Sequence, residues 1–596
     1  MNNLIEISNV SFEYRQHQQD PLLAVDNVTL SIPDGSHTAI LGRNGSGKST
    51  LARLVNALEK PDQGMVIVQG MNTDNDEAIW QIRRICGMVF QNPDNQIVGT
   101  TVEEDVAFGP ENLGVPPDEI RKSIDQALAV VGLENETTRP PHLLSGGQKQ
   151  KLAIAGILAM HPRCLILDES TAMLDPVSRH EFMQLVQKLI RDEGITVINI
   201  THHMEEVLLA DHVYVMDEGR IALQGSPAEI FEQVELIKKM GLDVPTHIDI
   251  VWQMSQITGI GLQPLQSFTW GGAVSEATRI LTALTVDQIN TSGIKNTLNQ
   301  DAGCGTYVES GEKVISVENL SYTYNSGTSF AKAALVDVSF DVYRGELFGI
   351  IGHSGSGKST LIQHFNGLIR PQTGSVRVLD LSADQNSSIR KIRQKAGLLF
   401  QYPEHQLFEE TVYRDIAFGP KRMGMDANEI DKSVLAAAEI VGIDQAVLER
   451  SPFELSGGQK RRVAIAGILA MKPEILILDE PAAGLDPAGR DEILGYAARL
   501  RDMGVTVILV SHSMEDIARL ADRVLVMQNG RIQACGTPMQ VFQDEDALAK
   551  AGLSMPRTVA FLREMAKYLP NICTDYYTPA AAAQELVRCQ IQGKGA

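Results

Sequence analysis

One string occurs twice in this chain. Gly42 to Thr50 reads GRNGSGKST and Gly352 to Thr360 reads GHSGSGKST. Each fits G-x-x-x-x-G-K-[ST], a glycine-rich loop whose backbone N–H groups close around a row of phosphates. The pattern constrains the fold as well as the chemistry, because it needs an apolar strand before it and a helix after it. HTAIL and LFGII lead into the two loops, and helical runs follow both. Gly45, Gly47, Gly355 and Gly357 leave bare backbone where a Cβ would keep phosphates out. Lys48 and Lys358 are placed to meet β- and γ-phosphates, and Ser49 and Ser359 to offer a hydroxyl to Mg²⁺. Gly42, Asn44, Thr50 and Gly352, Ser354, Thr360 complete the two loops. A single match could be accidental. Two matches in the same context imply a nucleoside triphosphate bound at two places.

The duplication extends well beyond the loops. Lys48 and Lys358, Gln91 and Gln401, and His202 and His512 are each 310 positions apart, and Asp168 and Asp479 are 311 apart. The segments KKMGLDVP and AKAGLSMP, ending at Pro245 and Pro556, keep the same offset of 311. Two copies of one unit therefore run head to tail, each a nucleotide-binding domain plus a small extension. The expected division is 1–232 and 233–295 for the first domain and its extension, a polar linker at 296–313, then 314–542 and 543–596 for the second pair. Length alone suggests about four domains.

Composition narrows the class. The 596 residues are 43% apolar, enough for several cores. The longest apolar runs, Leu152–Met160 and Val463–Met471, fall well short of the roughly 20 residues a membrane span needs. MNNLIEISNV carries no basic region before an apolar stretch, so no signal peptide is expected. Six cysteines without CxxC pairs suit a reducing compartment better than a disulfide frame or zinc site. A net charge of −22 argues against coating nucleic acid. RCLILDE and EILILDE, then ITVINITH and VTVILVSH, are short apolar runs that read as buried parallel strands. VYVMDEGRIALQG and VLVMQNGRIQACG read as hairpins, the second turning at Asn529-Gly530. Strands alternating with helices around a phosphate loop imply an α/β core with a largely parallel sheet.

A second string, LSGGQ, occurs at Leu144–Gln148 and Leu455–Gln459. Ser145 with Gly146, Gly147 and Gln148, and Ser456 with Gly457, Gly458 and Gln459, open helices whose first N–H groups can receive an anion; an N-cap alone would use the same residues. The order of phosphate loop, Gln, LSGGQ, apolar strand with Asp-Glu, and His resembles the ATP-binding-cassette (ABC) ATPases over nearly the whole length of both copies. The resemblance implies two tandem cassettes. Each would have a mostly parallel core sheet, an antiparallel β subdomain, a helical subdomain and a small C-terminal extension. It implies ATP and Mg²⁺ as cofactors, with Ser49, Gln91 and Asp168 at one metal site and Ser359, Gln401 and Asp479 at the other. Glu169 and Glu480 match the base that polarises the attacking water. His202 and His512 match the switch histidine near the γ-phosphate, Tyr14 and Tyr324 the adenine-stacking aromatic, and Asp175 and Asp486 the loop crossing between cassettes. Each LSGGQ would close on the nucleotide held by the other copy. Two departures are visible: Ser170 stands where Pro481 keeps the family's proline, and His203 where the family often has an acid.

The segments after the glutamines, QNPDNQIVGTTVEEDVAFGP and QYPEHQLFEETVYRDIAFGP, closely resemble the two A components of energy-coupling factor (ECF) transporters, one of each type. That resemblance implies the ATPase motor of an importer at the cytoplasmic face of the cell membrane. Its partners would be a membrane coupling protein, the T component, and a substrate-binding S component for a vitamin or metal ion. Asp94 and Glu404 are the acids expected to face that partner. Three other readings are set against it. Ribosome-bound tandem ATPases carry a long, highly charged linker, whereas 285–313 is short of Lys and Arg. Tandem sugar-importer ATPases usually have one degenerate site, and both sites here are intact. Chromosome-maintenance ATPases need a long coiled coil between phosphate loop and LSGGQ, and the spacing from Lys48 to Ser145 leaves no room for one.

Overall fold

The computed structural model describes residues 3–15, 21–172, 174–263, 268–284, 311–327, 331–401, 403–569 and 571–594. The chain divides into two compact units, Met1–Gln288 and Ile289–Ala596, fewer than length alone suggests. Most of the expected linker lies outside the described residues. Its last residue, Lys313, opens a strand of the second unit.

In the first unit the main sheet runs Cys86–Val89, Cys164–Asp168, Thr196–Ile200, His37–Gly42, His212–Asp217, Arg220–Gly225. Its first five strands are parallel and the last is antiparallel. The first four strands are buried at every position because both faces of the sheet are covered. A second, antiparallel sheet pairs Leu22–Pro33, Asn3–Tyr14, Gln63–Val68 and Met71–Asn72. The second unit repeats both sheets. Its main sheet runs Ala396–Leu399, Ile475–Asp479, Thr506–Val510, Leu347–Ile351, Arg523–Gln528, Arg531–Gly536. Both expected hairpins form, with positive φ at both turn residues, Glu218-Gly219 and Asn529-Gly530, the geometry that matches strand twist.

Strand alternation assigns the cores. In His37–Gly42, Ile40 faces a cluster shared with the antiparallel sheet, while Ala39 and Leu41 face one that includes Ile237, Leu242, Val244 and Ile248 of the extension. The extension's helices Val234–Lys239 and Thr246–Thr258 thus pack beneath the strand that carries the phosphate loop. Another cluster joins Leu165, Leu167 and Val197 to the helices Val102–Asn112, Pro117–Val131 and Gly146–Leu158. Because the main sheet contributes side chains to every one of these cores, the subdomains do not separate into independent domains. Among the described residues no helix is long and apolar enough to cross a membrane.

Candidate functional site

In the first unit the chain leaves the strand His37–Gly42, turns through the glycine-rich loop and enters the helix Lys48–Val55. Gly47 caps that helix at φ +99, and a Cβ there would strike the carbonyl oxygen of Ala24. A side chain is excluded by both conformation and space. Lys48 is buried and donates to the carbonyls of Gly42 and Arg43, each at 2.8 Å, so its ammonium lies across the loop's own mouth. Ser49 Oγ donates to Asp168 Oδ1 at 2.8 Å, which brings together two expected metal ligands 119 positions apart in sequence. Gln91 Nε2 donates to Glu169 Oε2 at 3.0 Å. Glu169 also lies 3.8 Å from Lys48 Nζ and 3.9 Å from His202 Nδ1. Tyr14 OH meets Thr50 Oγ1 at 3.3 Å, and its ring packs edge-on to Phe12.

The second unit reproduces this arrangement. Lys358 Nζ donates to the carbonyls of Gly352 and His353 at 2.8 and 3.1 Å. Ser359 hydrogen-bonds Asp479. Gln401 Nε2 donates to Glu480 Oε2 at 3.0 Å, His512 Nδ1 is 3.4 Å from Glu480, and Tyr324 OH is 3.2 Å from Thr360 Oγ1. Glu169 and Glu480 both sit at φ +48, a left-handed conformation that is strained for a side chain of this size.

The electrostatics separate the paired acids. Burial pushes the Asp168 carboxyl up, and burial with the neighbouring charge of Glu480 pushes Asp479 up to about 6. Burial also opposes ionisation of Glu169, but the hydrogen bond and charge of His202, together with Lys48, outweigh it and hold that carboxyl down. A buried aspartate that ionises reluctantly, beside a serine hydroxyl and a glutamine amide, is a hard oxygen set suited to Mg²⁺. Bound there, the ion would neutralise phosphate charge.

Ser145 and Ser456 cap the helices Gly146–Leu158 and Gly457–Leu469 through reciprocal capping boxes. Gln148 N donates to Ser145 Oγ at 3.2 Å, and Gln459 N to Ser456 Oγ at 3.3 Å. The hydrogen bonds of the LSGGQ residues are thus local, and Ser145, Gly146, Ser456 and Gly457 are exposed. Asp175 and Asp486 likewise cap helices, accepting from Ser178 N and Gly489 N at 2.9 Å. His203 lies beside His202 with ring centroids 4.4 Å apart.

Two features escaped the sequence. Asp94, expected to face a partner, is 61% exposed and pairs with Lys149 at 2.6 Å, and Glu404 lies 3.9 Å from Arg461. Both cations sit in the first turn after LSGGQ, so these acids tie the segments after Gln91 and Gln401 to the signature helices. The surface left open near those segments is apolar: Val98 and Phe108 are 60% and 53% exposed in the first unit, and Phe408 is 57% exposed in the second. There Phe400, Phe408, Phe418, Leu368, Arg390 and Arg422 line a groove of about 830 Å³.

Comparison with known proteins gives a consistent picture. The ABC transporter family model matches residues 25–172 and 335–483. A protein of Caldanaerobacter subterraneus that bears the name of an ABC transporter ATP-binding protein is 34% identical over 568 residues, 94% of this chain and 96% of its own length. The energy-coupling factor transporter ATP-binding protein EcfA2 of the same organism is 52% identical over 277 residues, 46% of this chain and 96% of that protein. EcfA1 of Clostridium novyi is 52% identical over 260 residues, 44% of this chain and 92% of that protein.

Proposed function

The chain belongs to the ABC transporter family, as an ATPase with two ATP-binding cassettes, and we propose that it is the complete motor of an ECF-type importer. The observation that carries this reading is two full hydrolytic sets in one polypeptide. Both copies gather Lys, Ser, Gln, Asp, Glu and His around the phosphate loop. Single-cassette relatives named as EcfA1 and EcfA2, each about half identical to part of this chain, support the assignment. Exposed apolar side chains near the segments after Gln91 and Gln401 support docking of a membrane partner.

In this reading Ser49 and Asp168, and Ser359 and Asp479, would hold Mg²⁺, which would neutralise phosphate charge, and Glu169 and Glu480 accept the proton of the attacking water. Gln91 and Gln401 orient those carboxylates, and His202 and His512 contact the γ-phosphate. Hydrolysis at each phosphate loop depends on the LSGGQ of the other copy. The chain works at the cytoplasmic face of the membrane with a T component and an S component, importing a vitamin or metal-ion micronutrient. Purification from solubilised membranes, with identification of the accompanying proteins, tests the proposal. A T-like coupling protein with a small substrate-binding membrane protein is the expected result. Ribosomal proteins, or the permeases of a sugar importer, would overturn it.

A further inference from the structure

The turn that follows each proposed base is held differently in the two cassettes. In the second, Arg461 is buried on the signature helix and donates through one guanidinium nitrogen to the carbonyls of Pro481 and Ala483, at 3.0 and 3.1 Å. Those carbonyls belong to the first and third residues after Glu480. A second nitrogen of the same guanidinium lies 3.9 Å from Glu404, in the segment after Gln401. One planar cation therefore joins the catalytic turn, the signature helix and the partner-facing segment. Arginine suits this role because it presents several donors in a fixed plane.

In the first cassette the equivalent residue is Gln150, also buried, and among the described residues it donates to the carbonyl of Gln91 at 3.2 Å. The turn after Glu169 is pinned from another side. Thr171 Oγ1 donates to Glu206 at 2.5 Å, and Glu206 also accepts from Asn199 at 3.2 Å. Glu206 lies on the short helix Met204–Val207, just past His202. Ala482 occupies the place of Thr171 in the second copy and has no hydroxyl to offer. Ser170 replaces Pro481, so the first turn also lacks the fixed proline φ.

We propose that Arg461 is a positioning residue that holds Glu480 in its strained conformation and links it to the segment after Gln401, while Thr171 and Glu206 do the corresponding work for Glu169 from the switch-histidine side. The two ATP sites are thus wired to different parts of the protein, and a partner pressing on the second cassette's docking segment acts directly on its base. The inference rests on Glu169 and Glu480 being the bases.

The test uses the purified full-length chain with Glu169→Gln or Glu480→Gln, so that one base is active at a time. With Glu480 active, Arg461→Gln is expected to lower kcat about tenfold or more, because small displacements of a catalytic group are costly, while KM for ATP stays within twofold. Arg461→Lys recovers part of that loss. With Glu169 active, Arg461→Gln lowers kcat by a distinctly smaller factor, because its helix serves that site only through LSGGQ, and Thr171→Val produces the larger loss instead. If Arg461→Gln does not fold, Glu404→Gln replaces it and shifts kcat in the same direction by a smaller factor. If either base substitution silences both sites, vanadate-trapped ADP mapped to each phosphate loop replaces turnover as the readout. An unchanged kcat in Arg461→Gln with Glu480 active, or equal losses at both sites, overturns the proposal. A Glu480→Gln chain that keeps full turnover at its own site would instead remove the base assignment.

Discussion

The two copies agree at their nucleotide sites and disagree at their proposed docking surfaces. Lysine to loop carbonyl is 2.8 Å in both, glutamine to glutamate 3.0 Å in both, and tyrosine to threonine 3.3 against 3.2 Å. Around the proposed docking region, Trp80, Val98 and Asn112 in the first unit stand where Arg390, Phe408 and Arg422 stand in the second. Phosphate chemistry tolerates little change, since each donor must meet an oxygen within a few tenths of an ångström. A docking surface needs only to match its own partner. Identical chemistry beside divergent surfaces is what an asymmetric partner requires of a duplicated motor.

Three experiments would break or sharpen that comparison. The largest effect is expected from Glu169→Gln with Glu480→Gln, which should cut hydrolysis about 10²–10⁴-fold, the usual value of a positioned base, with ATP still bound. Near-normal turnover would show that the shared geometry is not the catalytic one. Next, Phe408→Asp should weaken attachment to the membrane partner about 10- to 100-fold, the range for loss of an aromatic anchor. Val98→Asp should cost less, and hydrolysis by the purified chain should stay within twofold for both. Equal effects of the two would erase the asymmetry inferred for the two proposed docking surfaces. Last, Tyr14→Ala and Tyr324→Ala should each raise KM for ATP about three- to tenfold, the worth of one aromatic contact. Loss at only one site would mean that adenine is held differently in the two cassettes.

The elements built from local patterns were legible in the sequence. Apolar runs gave the buried strands that end at Asp168 and Asp479, and Asn529-Gly530 announced its hairpin turn. The grouping of Ser49 with Asp168 came from the family order of motifs, because periodicity says nothing about contacts more than 70 positions apart; Gln91 was expected at the metal, and its hydrogen bond to Glu169 was not foreseen. The clamp by Arg461 was not legible. Its partners are backbone carbonyls, which leave no side-chain signature, and the only traces were Arg461 against Gln150 and Pro481 against Ser170 in otherwise matching strings. The pairing of Asp94 with Lys149 was missed because exposed acids in a loop read equally well as docking residues or as ion-pair partners.

The placement of the extensions bears on inheritance. Leu41, on the strand that leads into the first phosphate loop, is covered by Leu242 and Ile248 beyond the part of the chain the family model matches. The turn at Gly241 lies against the side chain of Arg43 inside that loop, and Gly552 faces His353 in the second copy. A first cassette cut off before Val234 would bare the face of that strand that Ala39 and Leu41 present, and invite aggregation. The repeat accordingly runs on to KKMGLDVP and AKAGLSMP, so phosphate loop and extension recur together as one unit.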